Sequence, residues 1–125
     1  MKIPVILQKV SAGFPSPATD YVQDEIDLNN ELIKNPPATF LIRVQGNSMT
    51  DHKIINGDLL VVYRSLNLKN DCIAIINFNN ELVVKNINKE NNNFYIKNKL
   101  EKTLINENSD INVWGIVTYI IHAAH

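Results

Sequence analysis

The stretch CIAIINFNNELVVKNI, residues 72–87, decides the fold. Cys72–Phe78 and Leu82–Ile87 are apolar-rich runs with only Asn79, Asn80 and Glu81 between them. Asparagine tolerates the positive φ of a tight turn, so the two runs read as an antiparallel hairpin. Working outward, Thr39–Val44, Leu59–Tyr63, Phe94–Ile96 and Val113–Ile121 are further strand candidates, and the Asn-rich segment 86–98 predicts a solvated hairpin loop. Short strands with turn residues between them predict a mainly β, compact domain.

Upstream the pattern changes. Val22, Ile26 and Ile33 stand at near-helical spacing, which predicts one or two short helical turns, with Asp20 as N-cap and Asn35-Pro36-Pro37 as the stop. Gly13, Pro15 and Pro17 make the preceding segment a poor strand or helix interior, so it should be extended and exposed. Residues 1–20 are therefore expected to form an N-terminal arm, and residues 21–125 the folded domain. The opening Met1–Leu7 is too short an apolar run, broken by Pro4, for a signal peptide, and reads as a segment that pairs or docks.

Composition bounds the function. The chain has 125 residues, 45% hydrophobic and 20% charged, enough for one domain with a real core. Its formal charge is −1, from 12 basic and 13 acidic side chains, which argues against direct gripping of nucleic acid. The single cysteine, Cys72, allows neither an intramolecular disulfide nor a cysteine-based zinc site and fits the cytoplasm. The three histidines are scattered without ligand spacing, and no glycine-rich phosphate loop occurs. No cofactor or metal is expected. The apolar runs Ile3–Leu7 and Ile116–Ile121 are far shorter than a membrane span.

Two features carry chemistry. Gly46-Asn47-Ser48-Met49 sets a serine in a turn directly after an apolar strand. If Ser48 opens a helical turn, the backbone N–H groups of Ser48 and Met49 form a donor pair suited to an oxyanion. Lys85 shares a strand face with Val83 and Ile87, where a dry setting would favour its neutral form and make it a base for a serine hydroxyl. On these patterns alone, the commoner roles are a turn cap for Ser48 and a snorkelling stem for Lys85. Asp58, in Asn56-Gly57-Asp58, reads as a turn residue leading into a strand, and His52 and His122 as surface or edge residues.

Taken together, Ser48-Met49, Gly57-Asp58-Leu59-Leu60-Val61-Val62 and Val84-Lys85 resemble the LexA/UmuD family of self-cleaving serine peptidases. Gly13-Phe14-Pro15-Ser16-Pro17-Ala18, Asp20-Tyr21-Val22, Ile26-Asp27-Leu28-Asn29 and Val113-Trp114-Gly115-Ile116-Val117 look specifically UmuD-like. The resemblance covers residues 11–122. It implies a compact β-rich peptidase domain with a short helical segment, a Ser48/Lys85 dyad, and self-cleavage between Ala12 and Gly13. It also implies stimulation by a RecA filament on single-stranded DNA, a homodimer, and service to an UmuC-type translesion polymerase in the SOS response. Twelve residues before the cut cannot hold a helix-turn-helix, so a repressor is not expected. Family members often carry glycines where this chain has His52-Lys53, and a Gly-Asp where it has Asp71-Cys72. The alternative is a non-catalytic β-rich accessory module of a DNA-damage polymerase complex, in which Ser48 and Lys85 are relics.

Overall fold

Asn79 and Asn80 both adopt positive φ, 51° and 71°, and close the hairpin between Cys72–Phe78 and Glu81–Glu90. Asn91 and Asn92 do the same, at 50° and 66°, before the next strand. Short side-chain amides stand at the four places where the hairpins need left-handed backbone. The computed structural model describes residues 2–6, 22–33, 36–65, 67–97, 102–106 and 110–124.

The strands are β1 (Lys2–Ile6), β2 (Val22–Asp27), β3 (Thr39–Arg43), β4 (Leu59–Tyr63), β5 (Cys72–Phe78), β6 (Glu81–Glu90), β7 (Asn93–Lys97), β8 (Lys102–Leu104) and β9 (Ile111–Ile121). The one α-helix among the described residues, α1, spans Leu28–Leu32. Two compact units result, Met1–Lys34 and Asn35–His125. The expected mainly β architecture is present.

In the first unit β1 pairs antiparallel with β2. Val22–Asp27 is thus a strand and not a helical turn, because the Val22/Ile26 spacing is overridden by a partner twenty residues upstream. The helix starts at Leu28 with Asp27, not Asp20, as its N-cap: the Asp27 carboxylate accepts from the Asn29 N–H at 3.0 Å. Asp20 lies outside the described residues, as do Ala12, Gly13 and the rest of 7–21.

The second unit is one antiparallel sheet in the order β3-β4-β9-β5-β6-β7-β8. Alternation along β5 feeds both faces. Ile75 joins Met49, Ile54, Leu60 and Val62 in one cluster, and Ala74 and Ile76 join Ile87 and Ile96 in the other. β9 bulges against both neighbours, against β4 at Val61/Val62 and against β5 at Ile75/Ile76. The bulges raise local twist and let one long strand serve both halves of the sheet. At the β3 corner Trp114 meets the Phe40 ring edge-on at 5.2 Å, and the Arg64 guanidinium lies 4.3 Å over the indole. No helix among the described residues is long and apolar enough to cross a membrane.

Gly115 sits where β9 passes closest to β4. A Cβ there would stand 2.7 Å from Val62 Cγ1 and 3.2 Å from the Tyr63 carbonyl oxygen. Gly115→Ala should therefore destabilise the fold by about 1–3 kcal/mol, the usual range for overpacking, measurable by urea unfolding. At the far edge, Glu90 pairs with Lys102 and, at 2.7 Å, with Lys97. Hydrogen bonds from Lys102 and then Lys97 lower its pKa from the ordinary 4.5 to about 2. A depressed carboxyl pKa contributes stability above the unfolded value and loses it as pH falls. The Glu90 contribution should vanish between pH 4.5 and about 2, and Glu90→Gln should flatten the stability profile in that window.

Candidate active site

Between β3 and β4 the chain makes a long excursion that carries Ser48, and hydrogen bonds fasten it at three levels. At its base, the Val44 N–H donates to the Asp58 carbonyl at 2.8 Å and the Gly57 N–H to the Val44 carbonyl at 2.9 Å. Across its middle the two asparagines are cross-linked. The Gly46 N–H donates to Asn56 Oδ1 at 2.8 Å, and the Asn56 N–H donates to Asn47 Oδ1 at 3.0 Å. Beyond Ser48, a 3-10 turn at Thr50–His52 is closed by the His52 N–H on the Met49 carbonyl at 3.0 Å. Gly46 and Gly57 take φ of 95° and 92°, values that only glycine adopts freely.

Lys53 and Asp71 also have positive φ, 64° and 62°. The loop geometry is kept here by residues that tolerate it less well.

Ser48 stands exposed at the tip, beside a buried Met49 that anchors the turn into the core. The N–H groups of Ser48 and Met49 have no hydrogen-bond acceptor among the described residues. Lys85 is half-buried on β6, opposite the fully buried Ala74 of β5. Ser48, Met49 and Lys85 line one cavity of about 450 Å³, floored by apolar side chains that include Ile42, Val44, Ile75 and Val84. No carboxylate of the described residues forms an ion pair with Lys85. Over the part that lines the cavity, β6 has a strand partner only on its β5 side among the described residues, since β7 joins it from Ile87 onward. Among the described residues that stretch of β6 therefore keeps one edge without a strand partner, the kind of edge that an extended peptide can join.

Asp58 departs from the turn-residue reading. It is 2% exposed, and both carboxylate oxygens are engaged. Oδ2 accepts from the Ile55 N–H at 3.0 Å, and Oδ1 lies 2.8 Å from His122 Nδ1. The Ile55 N–H, followed by His122, holds the Asp58 carboxyl below its ordinary value against the opposing effect of burial. Sequence reasoning missed this pair because its members lie 64 residues apart and neither carries a local signal. A carboxylate on a histidine Nδ1 is also the orienting half of a Ser-His-Asp triad. Neither Asp58 nor His122 lines the cavity that holds Ser48, however, whereas Lys85 does. Among the described residues no cluster of potential ligands could hold a metal ion.

Asn56→Ala removes the acceptor of the Gly46 N–H while leaving the rest of the loop intact. It should cost about 1 kcal/mol in chemical denaturation and speed hydrogen exchange at the Gly46 amide more than at core amides such as Ile75.

A family model described as Peptidase S24-like matches residues 4–118. Protein MucA of Salmonella typhimurium is 37% identical over 128 residues, which cover 94% of this chain and 82% of that protein. Protein ImpA of Escherichia coli is 39% identical over 122 residues, 95% of this chain and 83% of the relative. A LexA repressor of Teredinibacter turnerae is 34% identical over 108 residues, covering 86% of this chain but 50% of the repressor.

Proposed function

The chain belongs to the Peptidase S24-like family, whose members are self-cleaving serine peptidases, and we propose that it cleaves its own arm between Ala12 and Gly13 with Ser48 as nucleophile and Lys85 as base. The observation that supports this reading is one cavity whose lining includes both the loop serine and the half-buried strand lysine.

Neutral Lys85 takes the proton from Ser48 Oγ as the oxygen attacks the carbonyl carbon of Ala12. The N–H groups of Ser48 and Met49 stabilise the oxyanion. As the C–N bond breaks, protonated Lys85 gives its proton to the Gly13 nitrogen. Water then attacks the Ala12–Ser48 ester, Lys85 again accepting a proton, and frees the serine. Small side chains at Ala12 and Gly13 permit close backbone approach, and the open edge of β6 offers an extended segment a place to pair. Because the substrate is tethered, the chief gain is effective concentration. The productive arm conformation is a minor one that an activator favours.

The wider role follows the resemblance. A RecA filament on single-stranded DNA stimulates cleavage, and the processed chain serves an UmuC-type translesion polymerase in the cytoplasm during SOS mutagenesis. The chain acts as a homodimer. Leu41, Tyr119 and Ile121, on neighbouring rows of β3 and β9 around the buried Val61, are exposed apolar side chains that a second copy would cover.

The test is intact-mass analysis of the purified protein and its Ser48→Ala and Lys85→Ala variants. The parent should yield a fragment beginning at Gly13, and both variants should stay whole. No cleavage of the parent even with RecA, nucleotide and single-stranded DNA would favour the non-catalytic accessory module. Cleavage that survives Ser48→Ala would remove Ser48 as the nucleophile.

A further inference from the structure

We propose that His122 is a positioning residue for Ser48, acting through Asp58 to brace the serine loop from the end of β9. The role in catalysis rests on the peptidase reading above; the brace itself rests only on geometry.

Asp58 is where the two limbs of the loop are tied. Its carbonyl accepts from Val44 on the outgoing limb at 2.8 Å, its N–H donates to the Ile55 carbonyl at 3.1 Å, and its Oδ2 accepts from the Ile55 N–H at 3.0 Å. That leaves Oδ1, an oxygen of a carboxylate 2% exposed, and His122 Nδ1 supplies its donor at 2.8 Å. A buried carboxylate oxygen that loses its donor carries a large desolvation penalty. Without the imidazole the carboxylate gains by rotating towards solvent, and rotation releases the Ile55 N–H. Ile55 is followed directly by Asn56, which accepts from the Gly46 N–H and donates to Asn47, the neighbour of Ser48. Hydrogen bonds from His122 to Asp58 and from Asp58 to Ile55, the peptide link from Ile55 to Asn56, and the asparagine clasp thus connect His122 to the residues on the N-terminal side of Ser48.

The imidazole itself is half exposed at its side chain and is absent from the cavity lining. It is therefore no candidate base, and its burial adds little to the core. What it supplies is one donor, at one place. β9 holds that donor in register, because Ile121 pairs with Leu59, the residue that follows Asp58.

The experiment compares His122→Leu, which keeps bulk without a donor, with His122→Asn, whose amide nitrogen takes the place of Nδ1. Amide exchange at Ile55 is read in a Ser48→Ala background, and self-cleavage in the full chain with Ser48 present. His122→Leu should speed Ile55 exchange by about tenfold with Ile75 unchanged, slow cleavage by a similar factor, and His122→Asn should restore both. The proposal is overturned if Ile55 exchange does not respond, if Ile75 responds equally, if the asparagine fails to restore it, or if exchange responds while the cleavage rate stays at the parental value. If the parent does not cleave at all, an Ile55 response that asparagine reverses establishes the brace and overturns its assignment to catalysis.

Discussion

The register of β5 against β6 is the constraint on which the rest of the second unit depends. The Asn79-Asn80 turn sets it, with both residues in left-handed backbone, and the ladder then runs from Phe78↔Glu81 to Cys72↔Ile87. A slip of one residue would exchange the two faces of β6. Val84 would leave the Met49–Ile75 cluster, Ile87 would leave the Ala74–Ile96 cluster, and Lys85 would lose its place opposite Ala74. One turn therefore governs both the core and the lysine. The cost of error is large, since each misplaced aliphatic side chain forfeits about 1.5–3 kcal/mol of burial.

The loop that carries Ser48 is built on a different principle. The loop from Val44 to Asp58 has little regular structure, and polar cross-links hold it in place of a strand ladder. Apolar anchors at Met49 and Ile54 fix its two ends of approach to the sheet, and the asparagine clasp fixes its shape. Such a loop can hold a serine out from the surface without exposing unsatisfied buried atoms: none of the described buried side-chain nitrogen or oxygen atoms lacks a partner. Under the proposed dyad, a strand lysine and a loop serine would share the chemistry, the division of labour expected when functional groups sit on loops positioned by a scaffold.

Much of this was legible in the residues themselves. The Asn79-Asn80 pair announced the central hairpin, the Asn-rich segment 86–98 the next one, and apolar runs marked β4 and β5 while alternation marked β6. Gly46 signalled the turn before Ser48, and a lysine within an apolar run drew attention to β6. What was not legible depends on distant partners. Val22–Asp27 is a strand only because β1 pairs with it, and its own spacing favours a helix. Lys102–Leu104 is too short and polar to stand out until β7 supplies its neighbour. Asp58 looked like turn chemistry because the histidine that engages it arrives from the other end of the chain. Membership of the peptidase family converts two ambiguous local signals, a turn serine and a strand lysine, into one coherent reading.

The central claim is that Ser48 is a nucleophile activated by Lys85. Reaction of the full chain with a fluorophosphonate, followed by peptide mapping, tests it without requiring the arm to enter the cavity or an activator to be present. A single serine, Ser48, should be phosphonylated, and the labelling should be lost in a Lys85→Met variant that unfolds at the parental temperature. Labelling of Ser48 at an undiminished rate in Lys85→Met, or labelling at another serine in its place, would contradict it.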